Sequence, residues 1–236
     1  MARTAKDRET SGRETPDQEP PDHAATLRRD ARRNRELLIA SAREVFAEQG
    51  LAAPLDEIAR RAGVGNATLY RRFPTRQDLV EAVFGDLLAA TREAGDEARL
   101  AEDAWSGLTA YLERIFEGLA DDRGANDLLT TGIQGVPSLD ALHPHNHETI
   151  GILIARGQEQ GTVRADVVTE DLLFVLAALG KVVPASVAAA PDAWRRFLAL
   201  FLDGLRPGAA QPLPAPPLTS GQIAGALGGL RTDRTG

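Results

Sequence analysis

The residues with the clearest chemical potential lie in the stretch LDEIARRAGVGNATLYRRF, residues 55–73. As a helix, its second half would expose short polar side chains followed by an aromatic ring and two guanidinium groups. These residues are Asn66, Ala67, Thr68, Tyr70, Arg71 and Arg72. Small hydrogen-bonding side chains and arginines are the groups that contact base edges and phosphates in the major groove. The pattern therefore predicts a nucleic-acid contact surface.

The apolar residues of the same stretch predict how that surface is held. Ile58 and Ala62 form the inner stripe of a first short helix, Gly63 permits a sharp turn, and Leu69 points inward from a second helix. Two short helices at a steep angle make a helix-turn-helix, whose second helix enters the major groove. A plain helical hairpin would show the same apolar pattern, so the two interpretations are separated by charge and flanking sequence.

The charge distribution favours the DNA-contacting interpretation. Residues 27–78 hold eleven arginines and seven acidic residues and carry a net charge of +4, whereas the whole chain carries −7 and the remainder therefore −11. A basic segment in an otherwise acidic chain indicates a nucleic-acid-binding module. The acidic remainder of the chain would not adhere to phosphate, because its net charge is also negative. Arg33 belongs to a basic run, residues 28–35, which is either a phosphate-binding arm or a solvated helix start.

With their flanks, these motifs resemble the DNA-binding domain of the tetracycline-repressor (TetR) family of bacterial transcriptional regulators. The matching pieces are AREVFAEQG, DEIARRAGV, NATLYRRF and FPTRQDLVEAVF, all between residues 33 and 84. The resemblance implies an all-α homodimer that binds a pseudo-palindromic operator on double-stranded DNA. It also implies a repressor that a small-molecule effector releases.

The resemblance assigns DNA contacts by position. Asn66, Ala67 and Thr68 would approach bases. Tyr70, with Arg71 or Arg72, would touch phosphates and flanking bases, although Tyr70 could instead be a packing residue. Thr75 and Arg76 would hold phosphate at the next helix start. Many members have Thr where this chain has Pro54, which has no hydrogen-bond donor, so that phosphate contact is not expected here.

Helical periodicity in the rest of the chain predicts an all-α fold. We expect an N-terminal three-helix domain with the helix-turn-helix over residues 27–78 and a helical ligand-binding and dimerisation domain over residues 79–206. The helix after the Thr75–Asp78 capping pair would stop near Ala94, before Gly95. Residues 1–26 have no Leu, Ile, Val or aromatic residue and predict a disordered leader. Residues 207–236 are rich in Pro and Gly and predict a mostly disordered tail, with one short helix over residues 220–227.

The C-terminal half predicts a ligand pocket with mostly apolar walls, which favours a largely apolar ligand. The candidate lining residues are Leu88, Trp105, Leu108, Leu112, Phe116, Ile133, Gln134, Leu153 and Phe174. Gln134 and the histidines of His143-Pro144-His145-Asn146-His147 are candidate orienting groups. The apolar helix over residues 172–183 and the Trp194/Phe197/Phe201 stripe suit a dimer face, or simply the core of a monomer.

Several functional classes are disfavoured. The chain has no cysteine, which excludes disulfides, thiolate metal sites and cysteine nucleophiles. No catalytic constellation or Gly-rich phosphate loop is present, so we expect no enzyme activity and no cofactor. Because Pro144 argues against one continuous helix, the histidine cluster is better explained as a polar loop and helix start than as a metal site. No apolar run reaches the length of a membrane span, and a cytoplasmic protein is expected.

Two other functions remain compatible with this sequence. One is a small-molecule-sequestering protein or enzyme that keeps the helix-turn-helix only as scaffold. The other is a regulator that acts on DNA without any ligand, which a core without a cavity would favour.

Overall fold

The computed structural model describes residues 21–130, 133–187, 189–208, 211–223 and 225, and within them the chain forms helices and turns with no strand. The helices are α1 (Pro21–Gln49), α2 (Leu55–Arg61), α3 (Asn66–Arg72), α4 (Arg76–Leu100), α5 (Ala104–Asp121), α6 (Arg123–Thr130), α7 (Pro137–Glu159), α8 (Thr169–Val187) and α9 (Ala193–Gly204). The predicted all-α fold is confirmed. In this described part of the chain, no helix is long and apolar enough to cross a membrane.

The ends of the predicted leader and tail need correction. Residues 1–20 lie outside the described residues, but residues 21–26 form the first turns of α1 rather than part of a leader. In the tail, residues 220–223 are helical and Ile223 is buried, whereas residues 224 and 226–236 lie outside the described residues.

Local signals explain two helix ends of the N-terminal half, the end of α1 and the start of α4. α1 stops before Gly50, whose φ of +80° is readily adopted only by glycine. α4 begins with the predicted capping box: the Asp78 backbone N–H donates to Thr75 Oγ1, and the Thr75 N–H donates to Asp78 Oδ2. These two bonds fix where α4 leaves the end of α3.

The expectation that α4 ends near Ala94 is wrong, because the helix continues through Gly95 to Leu100. Gly95 is there for packing. A β-carbon at this position would lie 2.5 Å from His145 Nε2 and 3.2 Å from the Tyr111 ring. The glycine therefore lets α5 and α7 approach α4 closely, which outweighs its low helix propensity.

The interpretation of the histidine cluster as a polar loop is also wrong. α7 runs unbroken from Pro137 to Glu159, with Pro144 inside it. A proline in a helix removes one backbone hydrogen bond, here the bond to the Asp140 carbonyl, and packing against α4 and α5 outweighs that loss. His143 and His147 consequently lie one turn apart on a single helix.

Two apolar cores divide the molecule. The first joins α1 to α4 with Leu128 of α6 and Leu139 of α7, and the second joins α5 to α7, α8 and α9. α4 contributes to both, with Leu79 in the first core and Ala98 in the second. The predicted boundary at residue 78 thus falls within α4, whose first half packs with the N-terminal helices.

Candidate DNA-contact surface and ligand cavity

The helix-turn-helix is held together by a small apolar wedge. Ile58 and Ala59 from α2 and Leu69 from α3 are almost fully buried. The turn between them is closed by Gly63, with φ +68°, and by the Val64 N–H, which donates to the Ala59 carbonyl at 3.1 Å. This arrangement turns one face of α3 inward and leaves the opposite face on the surface.

Most of the residues predicted to contact DNA lie on that outer face. Asn66, Ala67, Arg71 and Arg72 are exposed and Thr68 is half-buried. Tyr70 is 48% exposed, so about half of its surface is open to an external partner.

Asn66 does not cap α3. Gly65 is the N-cap, and the Asn66 Nδ2 group donates to Asp56 Oδ1 of α2 at 2.9 Å. A side chain predicted to approach bases is therefore also tethered to α2.

The arginines at the ends of α2 and α3 have opposite surroundings. Arg60 and Arg61 both pair with Glu57, at 2.7 and 2.8 Å, and Arg61 pairs with Glu48 at 2.6 Å. Hydrogen bonds from Arg60 and Arg61 lower the pKa of Glu57 to about 2. Within the described residues, neither Arg71 nor Arg72 has an ion pair or a side-chain hydrogen bond. The two cations of α3 are thus available to an external anion.

Arg76 is placed differently from the expectation. Its Nη1 group donates to the carbonyl oxygens of Leu51 and Ala53, at 2.6 and 2.8 Å, and burial lowers the pKa of the guanidinium. The side chain thus ties the start of α4 to the loop between α1 and α2. A phosphate contact of Arg76 would therefore have to use a guanidinium that already donates to these two carbonyl oxygens. Thr75 stays exposed at the same helix start, and Arg33 is exposed on α1.

A cavity of about 330 Å³ lies among α5, α6, α7 and α8. Its walls are mainly aliphatic, with a few polar groups. The lining residues are Ile115, Leu119, Leu129, Thr130, His143, Asn146, His147, Leu173, Leu176, Ala177 and Ile223. A partly open space of this size and character suits a small, largely apolar molecule.

None of the predicted lining residues borders this cavity. Five of them are core residues with 0–1% of their surface exposed: Leu88, Leu108, Leu112, Phe116 and Leu153. The physical reason is that helical periodicity identifies which side chains point inward but not where the packed helices leave space. Leu88 borders only a small void of about 20 Å³.

The other four predicted lining residues lie elsewhere. Trp105 is stacked under Arg206, with the guanidinium 3.8 Å from the ring centroid. Ile133 packs against the first core and Gln134 is exposed, so Gln134 does not orient a ligand in this cavity. Phe174 is 42% exposed on α8.

Three polar residues of α7 face the cavity together. His143, Asn146 and His147 follow one side of the helix, as the spacing i, i+3, i+4 requires. Asn146 Oδ1 accepts a 2.5 Å hydrogen bond from the Tyr111 hydroxyl, and His147 Nε2 lies 3.4 Å from Glu170 Oε1. The apolar surroundings lower the pKa of His143, which favours its neutral form. Among the described residues, no group of three or more His, Cys, Asp or Glu residues could hold a metal ion.

Comparisons with known proteins agree with this architecture. Residues 38–83 match the tetR family of bacterial regulatory proteins, and residues 103–207 match the SbtR-like C-terminal domain of transcriptional regulators. The crystal structure of a TetR transcriptional regulator from Streptomyces coelicolor is 32% identical, with a TM-score of 0.50, over 74% of this chain and 99% of that one. The chain belongs to the TetR family and is a DNA-binding transcriptional regulator of that family.

Two further relatives are informative. The transcriptional activator FasR of Mycolicibacterium smegmatis is 38% identical over 101 residues, which is 41% of this chain and 44% of FasR, so less than half of that relative is matched. The regulator FadR of Bacillus subtilis, crystallised with stearoyl-CoA, shares the fold at 18% identity and a TM-score of 0.54, over 71% of this chain and 96% of FadR.

Proposed function

We propose that the protein is a cytoplasmic, homodimeric repressor that binds a palindromic operator and is released by a small, largely apolar molecule. The observation that carries the proposal is the presence, in one chain, of two exposed arginines on α3 without an ion pair among the described residues, and of a cavity of about 330 Å³ among α5–α8. The first can bind DNA, and the second can hold an effector.

The DNA side of the proposal uses the outer face of α3. Asn66, Ala67 and Thr68 approach base edges, and Tyr70, Arg71 and Arg72 contact phosphates and flanking bases. Thr75, Arg76 and Arg33 add phosphate contacts at the edge of the same surface. In a two-fold dimer, two such helices spaced about 34–36 Å apart would face successive turns of B-DNA.

The dimer side rests on four large apolar side chains of α8 and α9 that are about half exposed in the described chain. Phe174 and Val182 of α8 are 42% and 56% exposed, and Phe197 and Leu200 of α9 are 51% and 58% exposed. Trp194, by contrast, is buried in the second core, so only part of the predicted stripe is available for an interface. Two copies of this face would form a four-helix interface that buries these side chains.

The ligand side rests on the chemistry of the cavity walls. Aliphatic residues from four helices would surround an apolar body, and His143, Asn146 and His147 would orient one polar group of the ligand. The ligand can release the DNA only if it binds the DNA-free dimer more tightly than the DNA-bound dimer. A coupling free energy of about 1–3 kcal/mol is typical of such effects.

The test is a fluorescence-anisotropy titration of the protein against the DNA upstream of its own gene, with random DNA of equal length as competitor, at two salt concentrations. We expect competitor-resistant binding and a steep salt dependence. Equal, weak binding to both DNAs would contradict a specific upstream operator. Loss of binding on addition of an apolar compound would then identify an effector.

An activator is the second candidate, because the relative FasR is an activator. The sign of regulation can be read from a reporter gene placed behind the bound promoter. Removal of the regulator gene raises expression if the protein represses and lowers expression if it activates. The two outcomes cannot be confused, and neither changes the expected DNA contacts.

A further inference from the structure

Residues 211–223, which follow α9 in the chain, are here called the C-terminal strap: residues 211–219 form neither helix nor strand, and residues 220–223 are helical. Its start is fixed at Arg164, whose Nη2 group donates to the Gln211 carbonyl at 2.5 Å, and at Asp166, which accepts from the Leu213 N–H at 3.4 Å. Prolines at positions 212, 214, 216 and 217 favour an extended backbone. The strap is thereby directed from the end of α9 towards α8.

The strap ends in a single helical turn next to the ligand cavity. Thr219 and Gln222 cap this turn: the Thr219 N–H donates to Gln222 Oε1 at 2.9 Å, and the Gln222 N–H donates to Thr219 Oγ1 at 3.3 Å. Ser220 Oγ donates to Glu170 Oε1 at 2.7 Å, the same oxygen that lies 3.4 Å from His147 Nε2. The strap is therefore connected to a residue that lines the cavity.

Ile223 is the strap residue that enters the cavity wall. It is 6% exposed, whereas the other large apolar residues of the strap, Leu213 and Leu218, are 44% and 38% exposed. Ile223 lines the cavity together with His143 and His147 of α7. One apolar side chain is thus inserted among the groups proposed to bind the ligand.

We propose that the C-terminal strap is a built-in competitor of the ligand, and that ligand binding displaces Ile223 from the cavity. This inference rests on the proposed ligand-binding function of the same cavity. The strap is held by one buried apolar side chain and by hydrogen bonds at the surface, a combination that opens locally at low cost. The apparent ligand affinity then equals the affinity of the open form multiplied by the fraction of molecules in which the strap is open.

The absence of cysteine in the chain makes strap opening directly measurable. Variants I223C and L218C, each in the full chain, are reacted with Ellman's reagent. We expect the I223C thiol to react at least about fivefold more slowly than the L218C thiol, because a thiol in the docked turn can meet the reagent only after the strap opens. Addition of 8-anilinonaphthalene-1-sulfonate, a fluorescent dye with an apolar aromatic body and one sulfonate group, should accelerate the I223C reaction and leave the L218C reaction unchanged.

A second pair of variants tests the competition from the side of the ligand. Ile223→Asn should strengthen binding of the same dye by about threefold or more, because removal of the competitor raises the competent fraction. Leu218→Asn, at an exposed position of the same strap, should leave the dye affinity unchanged.

The outcomes that overturn the inference differ from those that overturn the proposed function. Equal thiol reactivity of I223C and L218C, or dye binding that leaves the I223C reaction unchanged, overturns strap competition while the cavity remains a ligand site. Absence of dye binding in both the wild type and Ile223→Asn overturns the ligand cavity and the inference together. Loss of specific operator binding, measured separately, bears only on the DNA-binding part of the proposal.

Discussion

Helices α2 and α3 offer a comparison within a few residues of each other. Both have seven residues and both end in two consecutive arginines. In α2, Arg60 and Arg61 are engaged by Glu57, and Arg61 also by Glu48, whereas the arginine pair of α3 has no such partner within the described residues. The same dipeptide therefore stabilises the scaffold in one helix and presents charge to the solvent in the other.

The difference between the two arginine pairs comes from the residues that precede them by one helical turn. Glu57 precedes Arg60 by three residues and Arg61 by four, the spacing at which side chains meet on a helix surface. The corresponding positions before Arg71 and Arg72 are Ala67, Thr68 and Leu69, none of which is acidic. In this chain, the residues three and four positions before each arginine pair thus separate the arginines that form ion pairs from those that do not.

The largest effect is expected for Arg71→Ala, compared with Arg60→Ala as its matched control. Removal of an arginine contact to DNA typically costs about 1–3 kcal/mol, or about 5- to 150-fold in affinity. Arg60→Ala should change affinity far less, because that side chain is already paired with Glu57. Anisotropy titrations with the operator measure both, and equal losses would contradict the division between the two helices.

Arg76→Met should mainly lower stability. The substitution keeps most of the apolar stem but removes the hydrogen bonds to the carbonyl oxygens of Leu51 and Ala53, which should cost about 1–3 kcal/mol in the free energy of unfolding. Thermal or urea unfolding measures this loss. If Arg76 also contacts a phosphate, the salt dependence of operator binding should weaken by about one unit of slope. If the salt dependence is unchanged and the melting temperature is lower, Arg76 stabilises the fold, as Arg60 and Arg61 do, and does not contact a phosphate.

Glu57→Gln should make the free energy of unfolding less dependent on pH in the acidic range. The arginines lower the pKa of Glu57 to about 2 in the folded protein, from about 4.5 otherwise, so its contribution is present above about pH 4.5 and disappears as the pH falls towards 2. Wild type should therefore be more stable than the variant at pH 7, and this difference should shrink below pH 4.5. Urea unfolding at pH 7, 4 and 3 measures the trend, and a difference independent of pH would show that the ion pairs are not its source.

Asp56→Asn should give the smallest effect. Asp56 holds the Asn66 side chain at 2.9 Å but also adds a negative charge to a surface proposed to face phosphates. The substitution keeps a hydrogen-bonding partner and removes the charge, so operator affinity should rise by up to about threefold at low salt. The gain should vanish at high salt. A loss of affinity would show instead that the carboxylate is needed to position Asn66.

The N-terminal helices could be predicted from sequence because short-range signals agree there. The burial of Ile58 and Leu69, the left-handed Gly63 and the Thr75–Asp78 capping box all depend on residues within a few positions of each other. The inward placement of Arg76 could not be predicted, since its acceptors lie 23 and 25 residues away.

The cavity could not be predicted for a related reason. Its walls come from four helices and the C-terminal strap, and its volume is what remains after packing. Ile115 and Leu119 of α5 line the cavity, yet nothing in the local sequence distinguishes them from Leu112 and Phe116, which are fully packed. The available signal was polar, because the sequence analysis proposed the histidines of the cluster as groups that orient a ligand. Two of them, His143 and His147, do line the cavity, but Pro144 argued against the continuous helix that brings them together.

The arginine-stacked tryptophans give the molecule an unequal distribution of natural chromophores. The chain has two tryptophans, Trp105 in α5 and Trp194 in α9, with Arg206 and Arg195 against their rings, so the DNA-contacting half has none. Intrinsic tryptophan emission therefore reports on the effector half alone. An operator fragment that changes this emission must do so through displacement of helices rather than by contact. The unlabelled protein can thus reveal whether its two ends communicate.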